Sequence, residues 1–288
     1  MIHVLRIIVF RYTKLFIFGL IIFLVTSCTK VDFGYTLATK LIKGRIYDTF
    51  EFKPKSKKTE IDIYLNSELK KNKRKTLDEL SLFIQDVQKN LPNDEMTIDT
   101  VHKLFDRAKA LRQNVILVYK DVFTTVIKKI EQSEIEHFQK FTNRQISNLI
   151  QDAQDETEFL EKKETSFKRT ISFFMGEINE KQFKSIQFFL KKHKQFFINQ
   201  INFRSKYFKK FYELYPHYDK MQDLTFKFYS GHESIYSSNE VVERQVFEGD
   251  LKILLLDLWN SADLEQKKQF RDTLSSVFIN LQDKDNSF

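Results

Sequence analysis

Residues 76–91 read Thr-Leu-Asp-Glu-Leu-Ser-Leu-Phe-Ile-Gln-Asp-Val-Gln-Lys-Asn-Leu. The first four have the form of a capping box, in which a hydroxyl accepts the third backbone N–H and a carboxylate reaches back to the first. Leu77, Leu80, Ile84, Val87 and Leu91 then recur at the spacing of one helix face. The stretch predicts an amphipathic helix that begins at Thr76. Similar start signals stand at Thr142-Asn-Arg-Gln145, Asn179-Glu-Lys-Gln182 and Asp263-Leu-Glu-Gln266. Phe141, Ile178 and Trp259 precede these three in the manner of a hydrophobic staple. Pro54, Thr97 and Asn239 mark further expected starts.

Other apolar sets keep the same period. Val101, Leu104, Phe105, Ala108, Leu111 and Val115 are expected to share a buried face. So are Val242, Val246, Ile253 and Leu256, and then Leu274, Val277, Phe278 and Leu281. Breaks are expected at Pro92-Asn93-Asp94, Gly176, Pro216, Ser230-Gly231 and Gly249. With only 6 Gly and 3 Pro in 288 residues, the chain lacks the turn formers that a sandwich, a barrel or a βαβ fold requires. A hydrophobic content of 42% with 15% aromatics argues against disorder. The expected fold is all-α, a multi-helix bundle with long antiparallel helices.

The first 27 residues carry Arg6, Arg11 and Lys14 and no acid, and Leu15 to Val25 are apolar throughout. A charged start, a short apolar run and small residues before a break are the pattern of a secretory signal. The run is shorter than the roughly 20 residues of a membrane span. Val25-Thr26-Ser27-Cys28 resembles the bacterial lipobox, so Cys28 is expected to be lipidated and to become the mature N-terminus. Cys28 is the only cysteine, and its lipidation would leave no thiol for a disulfide, a nucleophile or a metal. Several acyl chains anchor a protein stably where one does not. Thr29, a residue other than Asp, favours the outer over the inner membrane by resemblance to enterobacterial sorting. The expected organisation is a signal peptide over 1–27, a tether over 28–36 and one helical domain over 37–288. Identities 121 residues apart, such as Leu69 with Leu190 and Gln145 with Gln266, suggest repeat halves of about 45–165 and 166–288. Without the three basic residues of the leader, the net charge falls from +8 to +5.

Much of that charge lies in Lys181–Tyr218, which holds twelve aromatic residues, nine Lys or Arg and one acid, Glu213. Ile186, Leu190, Phe197, Ile201, Phe208 and Tyr212 form one apolar stripe, and Phe189, Phe196 and Phe203 a second. One reading is a central helix buried on two sides with snorkelling lysines. The functional reading is an exposed basic-aromatic surface built from Phe189, Phe196, Phe203, Lys192, Lys194, Arg204, Lys206 and Lys210. Such a surface would suit a protein or an anionic envelope polymer. Nucleic acid is not an expected partner of an exported chain.

Signals for chemistry are sparse. No Gly-rich nucleotide loop, Gly-x-Ser-x-Gly or His-Glu-x-x-His occurs. The one metal-like feature is Glu134-x-x-His137, and its nearest counterpart, Asp99-x-x-His102, has the wrong carboxylate for a di-iron bundle. Neither metal nor cofactor is expected. Asp152, Asp155, Glu156 and Glu158 read as a solvated helix face.

Cys28, Tyr35, Phe52-Lys-Pro-Lys55, Phe141-Thr-Asn-Arg-Gln145, Ile178-Asn-Glu-Lys-Gln182 and Asp263-Leu-Glu-Gln266 together bear a likeness. With them the chain resembles a family of helical Gram-negative lipoproteins classed as a domain of unknown function. The likeness runs over most of residues 28–281 and departs where Lys53 and Ser56 replace the usual Thr and Gln. It implies a helical, lipid-anchored protein and carries over no catalytic residue. The Leu-Thr-x-x-Gln element also looks like the repeated motif of small periplasmic stress chaperones, helical cradles that hold unfolding clients. The expected function is that of a membrane-anchored periplasmic lipoprotein, non-enzymatic, with a binding or chaperone-like role. The alternatives are a cell-envelope hydrolase and a purely structural scaffold.

Overall fold

The computed structural model describes residues 31–282, and among them lie eleven α-helices and no strand. The all-α, multi-helix architecture expected from the sequence is the one observed. The helices are α1 (Val31–Phe50), α2 (Lys55–Asn90), α3 (Ile98–Val118), α4 (Lys120–Lys128), α5 (Gln132–Gln154) and α6 (Glu156–Met175). Then come α7 (Glu180–Lys192), α8 (Lys194–Glu213), α9 (Tyr218–Ser230), α10 (Ser238–Asn260) and α11 (Leu264–Gln282), with a 3₁₀ turn at Glu233–Ile235. Because α1 begins at Val31, the segment read as a tether over 28–36 is helical from that residue on. Cys28 and the leader lie outside the described residues. No described helix is long and apolar enough to cross a membrane.

The 36 residues of α2 would measure about 54 Å at 1.5 Å per residue. Ile61, Leu65 and Leu69, near its start, lie in a core with Val126, Ile130, Phe138, Phe208, Phe211 and Phe228. Leu77, Leu80, Ile84 and Val87, near its end, join a second core with Leu111, Val115, Phe174 and Leu274. A third core of Phe159, Ile186, Phe189, Phe196, Phe197, Phe247 and Leu254 lies between α6, α7, α8 and α10. Trp259 closes a small fourth cluster on Met96 and Val101. Its indole N–H donates to the Asp94 carbonyl.

Start signals separate by their context. Thr97 accepts the Thr100 N–H at 3.3 Å and opens α3. Pro54 stands immediately before α2. Thr76 and Thr142 open nothing: α2 and α5 run straight through them. Their hydroxyls instead donate to the carbonyls four residues back, Asn72 at 2.9 Å and Phe138 at 2.8 Å. No Gly or Pro precedes either threonine closely enough to end a turn, so the backbone carbonyl takes the hydroxyl. Thr142 and Gln145 are therefore not capping residues. α5 starts 11 residues earlier, at a Glu131–Glu134 box, and α10 starts at a Ser237–Glu240 box rather than at Asn239. Gly249 lies inside α10 and breaks nothing. Gly231 does end α9, in a left-handed conformation at φ 74° that favours glycine.

The boxes at Asn179 and Asp263 meet in the interior. Gln182 Oε1 accepts the Asn179 N–H at 3.0 Å, and the Asn179 side chain accepts the Gln182 N–H at 2.9 Å. Asp263 and Gln266 repeat this at 3.3 and 2.8 Å respectively. The two glutamine amides then bond each other, at 3.0 and 3.1 Å. Each donates its second N–H to a carbonyl, Leu258 for Gln182 and Glu177 for Gln266. Every polar position of both amides is engaged while both side chains are buried. Gln182→Ala is expected to lower stability by about 1–3 kcal/mol in urea denaturation. A double-mutant cycle with Gln266→Ala should show coupling of about 0.5–3 kcal/mol, and simple additivity would refute the reciprocal pair.

Candidate functional site: the groove between α7 and α10

α7 and α8 run antiparallel to α10, as the pairings Gln182 with Leu258, His193 with Asp250, Asn199 with Glu243 and Lys206 with Glu240 record. On the outer side of this layer α7 and α10 border an open groove of about 840 Å³. This is within the range of ligand pockets. Phe189 and Leu254 are buried at its base, whereas Phe188 and Ile253 line it with 72% and 51% of their surface exposed. Val242 and Val246 extend the same face of α10 at 58% and 53% exposure.

This corrects an expectation. Val242, Val246, Ile253 and Leu256 were expected to face the core, but three of them are exposed and Leu256 is half-buried. The buried residues of α10 are instead Phe247, Leu254, Leu258 and Trp259. α10 carries apolar residues all round, so periodicity alone allows either face.

Charge is divided between the walls. α7 supplies Lys181, Lys184 and Lys192 with one acid, Glu180; α10 supplies Asp250 and Asp257. Lys192 Nζ lies 2.8 Å from Asp250 Oδ2 and closes one end, and Lys184 pairs along its own helix with Glu180 at 2.6 Å. Lys181 and Asp257 make no ion pair among the described residues.

Behind the Asp250 wall lies His193, buried between Phe189 and Phe247 with ring centroids 4.7 and 5.1 Å away. Its Nε2 is 2.8 Å from Asp250 Oδ2. Burial pushes the imidazole pKa down, and the attraction of Asp250 only partly offsets this. The Lys192 ammonium, and then His193, hold the Asp250 carboxyl below the ordinary value despite some desolvation. Because the Asp250 carboxylate can only accept, Nε2 is the donor of this bond. Ser185, on the groove wall, has no hydrogen bond to it among the described residues. The arrangement fits apolar contact with charged edges.

The basic-aromatic surface expected over residues 183–212 is not assembled. Phe189, Phe196 and Phe203 are buried to within 3–6% exposure, and Arg204 is buried with them. Phe189 and Phe196 belong to the third core and Phe203 to the first, because α8 is covered by α10 on one side and by α5 and α9 on others. Lys192, Lys194 and Lys206 pair with Asp250, Glu156 and Glu240. Lys210 is exposed at the far end of α8. The aromatic residue left open, Phe188, lies on neither of the two stripes read from the sequence.

Glu134 and His137 do not converge either. Glu134 is buried and accepts from Lys57 Nζ at 3.0 Å and the Glu131 N–H at 2.9 Å. His137 faces Glu51 at 2.8 Å and the Asp48 carbonyl at 3.0 Å. Among the described residues no group of three His, Cys, Asp or Glu is placed to hold a metal ion. The acidic cluster resolves into a cap and ion pairs: Asp155 caps α6, Lys162 holds Asp152 and Glu158, and Lys194 holds Glu156.

No family model, curated protein or solved structure matches the chain.

Proposed function

We propose that this is a non-enzymatic, lipid-anchored protein of the cell envelope that holds apolar segments of other proteins in the α7–α10 groove. The anchor is Cys28, the orientation is toward the periplasm, and the outer membrane is favoured over the inner. The likeness to uncharacterised helical lipoproteins and to cradle-shaped stress chaperones agrees with this reading. The observation that carries it is the open apolar face made by Phe188 and Ile253 with Val242 and Val246. Exposed apolar surface of this kind marks interaction sites. The lysines of α7 add attraction for acidic partners.

Two experiments bear on the two halves of the proposal. Cys28→Ala should abolish labelling of the chain by a fatty-acid probe in cells, and persistent labelling refutes the anchor. The full chain in detergent should slow the aggregation of a heat-denatured test protein at several-fold molar excess. Phe188→Ser/Ile253→Ser, at exposed positions, should lose that protection with little change in Tm. No protection by the parent chain, or full protection by the double variant, overturns the binding role.

A further inference from the structure

α10 has the composition of a helix covered on every side, yet one of its faces is open. α3, α7 and α8 pack against it, and Phe247, Leu254, Leu258 and Trp259 fill the covered sides. On the open face stand Val242, Val246, Gly249 and Ile253, all exposed, in steps of four, three and four residues. That spacing is the seam on which a second helix packs in a coiled coil. It runs for about 16 Å, or about three helical turns. From Ser238 to Ile253 the exposed residues of α10 include no charged side chain, whereas a solvated helix face is ordinarily charged or polar.

Gly249 is an independent sign. It is helical, has no positive φ, and a Cβ added there would meet nothing within 4 Å. Neither the backbone nor the packing of this chain calls for a glycine, which is a poor helix former. In the middle of the seam it leaves room for a neighbouring backbone to come close. Phe188 of α7 rises beside Ile253, so the open face is one side of the groove. Lys181, Lys184 and Lys191 are exposed on α7 at helical spacing with Phe188. Of these, Lys181 and Lys191 make no ion pair among the described residues.

We infer that the groove takes an amphipathic helix of another protein, apolar on the side laid over Val246 and Ile253 and acidic along the edge that meets Lys181 and Lys191. This rests on the groove's role as a holder of apolar segments and fixes their form and charge. A helix laid on a complementary seam keeps its own backbone bonds satisfied and places its side chains at the same period. A flat anionic lipid surface would set the exposed Asp257 carboxylate of the groove against its own charge. A second copy related by a two-fold axis would bring both lysine flanks to one side.

The test uses the full chain in zwitterionic nanodiscs and three labelled peptides of about 20 residues with Leu at the seam positions of the heptad. One has Glu along one edge, one has Lys there, and one keeps the Glu edge but carries a central proline that breaks the helix. In fluorescence anisotropy the first should bind about tenfold more tightly, or better, than either of the others. Lys181→Glu/Lys191→Glu, at exposed positions, should reverse the preference between the Glu and Lys peptides. Gly249→Gln should weaken binding about tenfold with no fall in Tm, and unchanged binding overturns the seam. Equal binding of all three peptides, or of none by a chain that still slows aggregation, overturns the helical partner and leaves the apolar groove standing. Binding of none together with no protection overturns both. A covalent dimer formed on oxidation of Ile253→Cys but not of the parent puts a second copy on this face. Quenching of Phe188→Trp by brominated lipid puts the bilayer there. Either result overturns the inference.

Discussion

Phe247→Ala is expected to lower stability by about 3–5 kcal/mol in urea or guanidinium denaturation of the full chain. The Phe247 ring is 6% exposed and stacks on Phe196 at 4.0 Å and 15°. Phe189, Phe197 and His193 surround it at 5.3, 5.7 and 5.1 Å. These four come from α7, α8 and the junction between them, so backbone on one side holds them and they cannot collapse into the space left behind. Phe188→Ala, one residue from Phe189 but 72% exposed, should cost less than about 0.5 kcal/mol. Similar losses at the two positions would contradict the division of this layer into a core face and an open face.

The second large effect is at Glu134. Its carboxylate is 1% exposed and accepts from Lys57, whose side chain is only 10% exposed. Burial pushes the Glu134 pKa up, but hydrogen bonds from Lys57 and from the Glu131 and Lys53 N–H groups outweigh it and leave the pKa below its ordinary value. Glu134→Ala removes a helix cap and leaves a buried ammonium without its closest partner, for an expected loss of about 3–5 kcal/mol. Glu134→Gln should cost less, because the amide can still accept two of the bonds. A carboxylate whose pKa is lowered by folding contributes stability that is present above about pH 4.5, the ordinary value, and is lost as pH falls through the lower folded value. The acid limb of the stability curve should therefore flatten in Glu134→Gln. An unchanged limb would show that this pair does not contribute to it.

Much of the architecture was legible in the sequence. The scarcity of Gly and Pro excluded sheets, and Thr97, Asn179 and Asp263 marked true starts because a proline or glycine break, or a short polar turn, precedes each. Thr76 and Thr142 carry the same pattern, but a capping box acts only where the preceding backbone has left the helix, and no Gly or Pro break precedes either of them. Glu131 was missed because glutamate is an uncommon cap. The groove was least legible. Deciding which face of α10 is covered requires knowing that α7, α8 and α3 pack on one side of it, and that is a property of the whole chain. The same holds for the aromatic segment. Its rings promise a surface until helices on both sides enclose them.

The paired glutamines explain a choice of residue that neither helix explains alone. In an isolated capping box the third position can be Glu or Gln, since only an acceptor is needed. Gln182 and Gln266 must each also donate twice, to each other and to a carbonyl. A carboxylate in either place would offer no donor and set its charge against the other's acceptor. The beginnings of α7 and α11, 84 residues apart in the chain, are thus constrained as one unit, and a substitution tolerated by the first depends on what stands in the second.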